Sequence, residues 1–316
     1  MRGGTIRPAA EHATPGDPWA GHMGRGAWAD AWTVCDAVLR ARANEPSSHL
    51  PRHEQWLWDG TPLAGRRVLV RCYHGLGDTL QLVRFVPPLR ATAAEVTLWA
   101  QPALLPLLAT MRGLGPCVPL HEGEPDVPHD VDVEVMELAH AARVTPETLP
   151  PPPHFDLAPA PLATDGRLAV GVVWECGDWH RATRSIPFPL LAPLARVPGV
   201  ALHVLQRGPA LHLRQPSFGT VSGSDDVLEV ARVIRALDLV ITVDSMPAHL
   251  AGALGVDVWT LLPHAADWRW MNVRDRSPWY PTMRLFRQPL PGDWRAVIAR
   301  VAAELTRLAH SHGPHR

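Results

Sequence analysis

A turn of sequence Gly75-Leu76-Gly77-Asp78, followed by Thr79, places a carboxylate beside two glycines. Glycine lets the backbone pass close to a ligand, and a carboxylate at such a turn can take a proton from a substrate hydroxyl. The same Asp78 also suits the N-terminal cap of the helix that follows. A dinucleotide fingerprint would need a third glycine where Leu80 stands and an acidic residue at the end of the next strand, which ends near Gln101. A nicotinamide or flavin site is therefore not indicated.

Two further stretches offer partners for an anion. Val243-Asp244-Ser245-Met246-Pro247-Ala248-His249 follows the apolar run LVITV. Asp244 or Ser245 suits a helix cap and Pro247 the first helical turn. A helix opening there would present backbone N–H groups and the Ser245 hydroxyl to a diphosphate. His249, four residues beyond Ser245, would lie on the same side of that helix, although a lone histidine also fits a core. The polar loop Trp174–Pro187 (WECGDWHRATRSIP) carries Arg181, Arg184 and Ser185 as anion ligands. Judged alone, that loop is equally well read as a solvated surface segment. Trp268, Trp270 and Trp279 fall in DWRWMNVRDRSPWYP, where packing of a long irregular loop is the first expectation and stacking on a sugar or base the second.

Composition narrows the chemistry. The 316 residues contain no lysine, which excludes a Schiff-base lysine and a P-loop lysine. Phosphate must then be met by Arg, Ser, backbone N–H groups or helix ends. A net charge of -1 gives no electrostatic footprint for nucleic acid or an anionic membrane. The four cysteines form no C-x-x-C pair, which suggests reduced thiols in a cytoplasmic protein. No H-E-x-x-H set occurs among the 17 histidines and no D-x-D stands at a strand end, so neither metal nor cofactor is expected. His310, His312 and His315 belong to a terminal tail, and no apolar run reaches membrane-spanning length.

Strands and helices alternate in a way that can position these residues. A segment over 1–25 without periodicity reads as disordered, and Trp28, Trp32, Cys35 and Leu39 recur at helical spacing over 27–43. Strands are predicted at Arg67–Tyr73, Glu95–Ala100 and Val131–Met136, with helices over Thr79–Arg90 and Pro102–Met111. Thr145–Gly166 is proline-dense and reads as a stiff linker. Beyond it strands are predicted at 168–174, 200–206, 239–243 and 256–262, with helices over 188–196, 226–237, 248–254 and 294–310. This is the pattern of two doubly wound α/β domains with parallel sheets.

Together, GLGDTLQLVRFVPPLR (75–90), the 174–187 loop, LHVLQRG (202–208) and ITVDSMPAHLAGALGVDVWTLLPHAADWRWM (241–271) resemble the family 9 glycosyltransferases and heptosyltransferases. The likeness is strongest to the glycosyltransferase domains that bacteria append to tetratricopeptide repeats, and covers roughly residues 56–290. The resemblance implies a GT-B fold, two Rossmann-like domains facing a cleft. With the composition and periodicity above, the chain divides into a disordered segment over 1–25, an acceptor domain over 26–150, a linker over 151–166, a nucleotide-sugar domain over 167–309 and a tail over 310–316. The resemblance implies a metal-independent inverting transfer from an ADP-heptose-like or other nucleotide sugar to a glycan, lipid-linked or protein hydroxyl, with Asp78 as general base. Gly75, Leu76, Gly77, Thr79, Trp174, Arg181, Arg184, Ser185, Gln206, Asp226, Asp244, Ser245, Met246 and His249 are the candidate substrate-binding residues. The lysine that heptosyltransferases place near the phosphates has no counterpart, and an arginine must substitute. A non-catalytic nucleotide-sugar-binding module, or an epimerase or hydrolase of similar fold, stands as the alternative.

Overall fold

The computed structural model describes residues 17–42, 45–208, 218–272 and 274–312. The chain forms two compact units, one of Met1–Pro153 with a returning segment, Trp268–Val273, the other of His154–Asp267 and Arg274–Arg316. The sequence reading assigned 268–273 to the second domain. The structure places it in the first unit.

The first unit is built on four parallel strands, β1 (Arg67–Arg71), β2 (Glu95–Ala100), β3 (Cys117–Pro119) and β4 (Val131–Glu134), in the order β3-β2-β1-β4. After its first residue β1 is buried throughout, as its Val and Leu content requires of a strand covered on both faces. The helix predicted over 79–90 is broken into α3 (Leu76–Leu82), a 3-10 turn (Val83–Phe85) and α4 (Val86–Arg90). Pro87 and Pro88 supply no N–H and clash with a continuing helix, so a new one starts there instead.

Among the described residues two α-helices precede the sheet. Part of the segment predicted as disordered is helix α1 (Pro18–Arg25), capped by the Asp17 side chain on the Trp19 N–H and closed by Gly26 at φ 79°. Residues 1–16 of that segment lie outside the described residues. Glycine-rich composition hid α1, which is held by burying Trp19 and Met23 rather than by propensity. Helix α2 (Trp28–Ala41) follows. Two shorter helices, α5 (Leu105–Leu108) and α6 (Leu138–Ala141), complete the unit. The returning segment is fixed on α1. Asn272 donates its N–H to the Gly24 carbonyl at 2.9 Å, and the Trp19 and Trp268 rings meet edge to face at 5.2 Å. A Cβ on Gly24 would come within 2.8 Å of the Asn272 side-chain Nδ2, so a larger residue there would push that side chain aside.

The second unit has six parallel strands: β5 (Leu168–Val173), β6 (Val200–Val204), β7 (Thr220–Val221), β8 (Leu239–Val243), β9 (Val258–Leu262) and β10 (Met283–Arg287). Their order is β10-β9-β8-β5-β6-β7. The helix predicted over 188–196 is two 3-10 turns, because Pro187, Pro189 and Pro193 interrupt it. Helices α7 (Arg181–Arg184), α8 (Val227–Arg235) and α9 (Met246–Ala253) precede α10 (Trp294–Ser311), whose Val297, Ile298, Val301 and Leu305 enter the core beside Leu168, Val170 and Val172 of β5. Helix α10 extends to Ser311, so the tail begins later than 310, and residues 313–316, with His315, lie outside the described residues.

In both sheets the chain starts in the middle, adds strands to one side, then returns to the other. The reversal falls between β1 and β4 in the first sheet and between β5 and β8 in the second. Loops leaving neighbouring strands diverge at such a switch point and open a crevice outside the carboxyl ends of the strands, where ligands of doubly wound sheets bind.

Candidate active site

At the β1/β4 crevice, Gly75 caps α3 and Asp78 occupies its first turn. Asp78 Oδ2 accepts the Gly75 N–H at 3.0 Å. Gly75 is exposed, Leu76, Gly77 and Asp78 are half-buried, and Thr79 is fully buried. Thr79 donates its hydroxyl to Gln101 Oε1 at 3.1 Å, and Gln101 Nε2 donates to the His74 carbonyl at 2.7 Å, which holds the turn from behind. Across the crevice, buried Glu134 at the end of β4 accepts the Tyr73 N–H at 3.0 Å and stands 3.0 Å from His74 Nδ1.

Arg269 enters this crevice from the returning segment. Its Nη2 donates to Asp78 Oδ1 at 2.5 Å and its Nε to Gln81 Oε1 at 2.9 Å, and its guanidinium lies 4.6 Å from the Trp268 ring centroid. The Arg269 side chain is 9% exposed, whereas that of Asp78 keeps 24% of its surface open. The sequence reading missed Arg269, Gln81, His74 and Glu134. The one signal for Arg269 was an arginine between two tryptophans, and nothing local connects it with a carboxylate 191 positions earlier.

At the β5/β8 crevice, Arg184 bridges the two strand ends. Its Nη2 donates to the Asp244 carbonyl, its Nε lies 3.4 Å from Asp244 Oδ2, and its guanidinium lies 4.6 Å from the Trp179 ring centroid. Arg181 pairs with Glu175 and lies 3.7 Å from Asp178. Both arginines, expected as open anion ligands, are thus engaged by carboxylates. Ser185 Oγ accepts the Cys176 N–H at 3.2 Å. Gln206, beyond β6, accepts the Trp174 and Glu175 N–H groups at 3.1 and 3.0 Å and donates to the Glu175 carbonyl at 3.2 Å, so one side chain shapes the start of the loop.

Ser245 is the cap residue of α9, but its hydroxyl donates to the Val243 carbonyl at 3.1 Å and makes no capping bond. Met246 opens the helix, half-buried. His249 is 5% exposed, with Nδ1 3.2 Å from the Tyr280 hydroxyl. Two expected residues have other roles. The Trp174 side chain is 1% exposed in the core, 5.0 Å from the Phe188 ring, because it alternates inward from β5; only its backbone reaches the edge. Asp226 accepts the Leu228 and Glu229 N–H groups as the cap of α8. Among the described residues no group of three or more His, Cys, Asp or Glu is placed to hold a metal ion, and no helix is long and apolar enough to cross a membrane.

No family model matches the chain. Among curated proteins it is 25% identical over 292 residues to Protein FlbA of Caulobacter vibrioides, covering 80% of this chain and 48% of that protein. The chain thus spans about half the length of the curated relative it matches. Solved structures give a consistent likeness. A glycosyl transferase family 9 protein from Veillonella parvula matches at 12% identity and a TM-score of 0.59, covering 80% of this chain and 98% of that one. The ADP-heptose lipopolysaccharide heptosyltransferase II of E. coli matches at 14% and 0.53, covering 78% and 99%. The dodecameric iron-containing heptosyltransferase TibC of enterotoxigenic E. coli, solved with ADP-D-beta-D-heptose, matches at 15% and 0.54, covering 79% and 78%. Two parallel doubly wound units and these likenesses give the chain the GT-B fold of the family 9 glycosyltransferases and heptosyltransferases.

Proposed function

We propose that the chain is a metal-independent, inverting glycosyltransferase that moves a sugar from a nucleotide donor, ADP-heptose-like or another, to the hydroxyl of a glycan, lipid-linked or protein acceptor. The observation that carries this reading is that both polar constellations occupy topological switch points. Asp78 stands at one, and Arg184, Asp244, Ser245 and the α9 N-terminus stand at the other. On the second unit, the α9 N–H groups and the Ser245 hydroxyl receive the diphosphate, with the Arg184 charge fixed beside them by Asp244. Asp78 takes the proton of the acceptor hydroxyl as its oxygen attacks the anomeric carbon. The bond to the diphosphate breaks on the opposite face, and the helix end and arginine offset the charge that gathers there.

The Asp78–Arg269 pair favours a second reading, because a carboxylate stabilised as an anion is a weaker base. On that reading the chain binds the nucleotide sugar without turnover. Calorimetric titration with ADP, UDP and GDP in EDTA tests what both readings share. At least one should bind, and Ser245→Ala should weaken it by about 1.5–3 kcal/mol, the value of one hydrogen bond to a charged group. No binding at millimolar concentrations of any of the three would overturn both, and binding only with added magnesium would overturn metal independence.

A further inference from the structure

Arg269 is unusually well supported for a side chain outside any long helix or sheet. Its 3-10 turn, Trp268–Trp270, has Trp270 fully buried, and Met271, 1% exposed, sits at φ 51° in the left-handed region. A non-glycine residue is strained there and persists only where the surroundings demand it. The surroundings are α1, through the Asn272–Gly24 hydrogen bond and the Trp19–Trp268 contact. The conformation that strains Met271 is the one that delivers the guanidinium to Asp78.

A buried guanidinium is best offset by an opposite charge. Arg269 meets two side chains of one helix face, Asp78 and Gln81, three residues apart on α3, and its Nη2 also lies 3.6 Å from Met136 Sδ. Gln81 fixes the approach and Asp78 receives the charge. The carboxylate is thereby gripped at both oxygens, Oδ2 by the Gly75 N–H and Oδ1 by Arg269, while part of its surface stays open.

We propose that Arg269 is the positioning residue for Asp78: carried back to the first unit by the 268–272 turn and seated there by α1, it sets the carboxylate's rotamer and keeps it ionised toward an acceptor. The assignment rests on the reading of Asp78 as the acceptor-side base. It also gives α1 a purpose beyond covering the sheet, since the helix anchors the segment that carries the arginine. Other titratable or charged groups on the elements around α3 are the buried Cys72, which hydrogen-bonds Thr79 from just past β1, His74 and Glu134 at the ends of β1 and β4, Glu137 in the turn after β4, and Arg84 in the turn after α3. Of these only His74 is able to add positive charge near neutrality beyond Arg84, and its partner is Glu134.

The test follows the Asp78 carboxyl carbon by NMR in the full chain, its resonance identified by its loss in Asp78→Asn. In the wild type the coupling across χ1 should report one rotamer. Arg269→Gln should average that coupling between rotamers and move the titration of Asp78 upward by about one pH unit or more, the usual effect of losing an adjacent guanidinium. Arg269→Lys, which keeps the charge but not the fork, should retain most of the titration and lose the single rotamer. A wild-type carboxyl that already averages among rotamers overturns the proposal without any variant, which covers the case in which Arg269→Gln fails to fold. So does a folded Arg269→Gln whose carboxyl titrates and couples as in the wild type. Failure of the base assignment would show separately, as full transfer activity in Asp78→Asn while the wild-type and Arg269-variant carboxyl data stand as expected.

Discussion

Gly252 lies in the last turn of α9, and replacing it with alanine sets a general rule against this structure. In an open helix Gly→Ala stabilises by about 0.5–1 kcal/mol, because the backbone loses less freedom on folding. Here a Cβ would stand 2.4 Å from Cγ of the Tyr280 ring and 2.7 and 2.8 Å from its two Cδ atoms. Tyr280 is fully buried and its ring must shift as a rigid plate. Overpacking of this kind costs about 1–3 kcal/mol, which outweighs the propensity gain and leaves a net loss of about 1–2 kcal/mol. In a unit of this size that lowers the melting temperature by about 2–8 °C. The shift also moves the Tyr280 hydroxyl from His249 Nδ1, so nucleotide-dependent stabilisation should fall with it. Thermal unfolding of Gly252→Ala with and without ADP reads both effects. An unchanged or raised melting temperature would refute the packing argument, and lower stability with undiminished nucleotide stabilisation would remove His249 from the site.

Asp36, held down to about 2 by hydrogen bonds from Arg143 and then His140, clips α2 onto α6. A depressed carboxylate stabilises above its unfolded pKa and loses that stability as pH falls toward its folded one. Asp36→Asn should therefore cost about 1–2 kcal/mol at neutral pH, after allowance for the exposed Arg143, and the difference from wild type should shrink below about pH 4 in urea unfolding. Gln206→Ala leaves the Trp174 and Glu175 N–H groups without their acceptor, at about 1–3 kcal/mol for each group that water does not reach. Hydrogen exchange at those two amides should accelerate by at least about tenfold, and unchanged exchange would show that the loop is held from elsewhere.

Much of the fold was legible because buried parallel strands are continuous apolar runs. RVLVR, EVTLWA, LVITV and the neighbouring segments announced themselves, whereas the three-residue β3, the two-residue β7 and β10, with its two arginines, carried too little apolar signal. Helical periodicity misled where proline intervened, at Pro87–Pro88 and over 187–193, since side-chain spacing is blind to a missing N–H. At the site, residue types could be read and pairings could not. Arg184 was visible as a cation beside a strand, but its engagement with Asp244 depends on β5 and β8 being neighbours. Trp174 was read as a substrate-binding residue, yet the strand's alternation carries its side chain inward. Arg269 was out of reach, because the chain leaves the second unit for a few residues and its sequence neighbours point to packing alone.

The most direct test of the account compares Asp78→Asn with the wild type, using ADP-heptose as donor probe and a panel of glycan, lipid-linked and protein acceptors, with ADP titrated calorimetrically in parallel. The carboxamide keeps the shape and an acceptor oxygen for the Gly75 N–H, but cannot take a proton. ADP affinity should stay within a few-fold of wild type, because Asp78 and the residues proposed to bind the nucleotide belong to different units. Turnover should fall by about a hundredfold or more, the scale of a general-base contribution. Abolished ADP binding, or full turnover with the carboxyl gone, would contradict the assignment of Asp78 as the base.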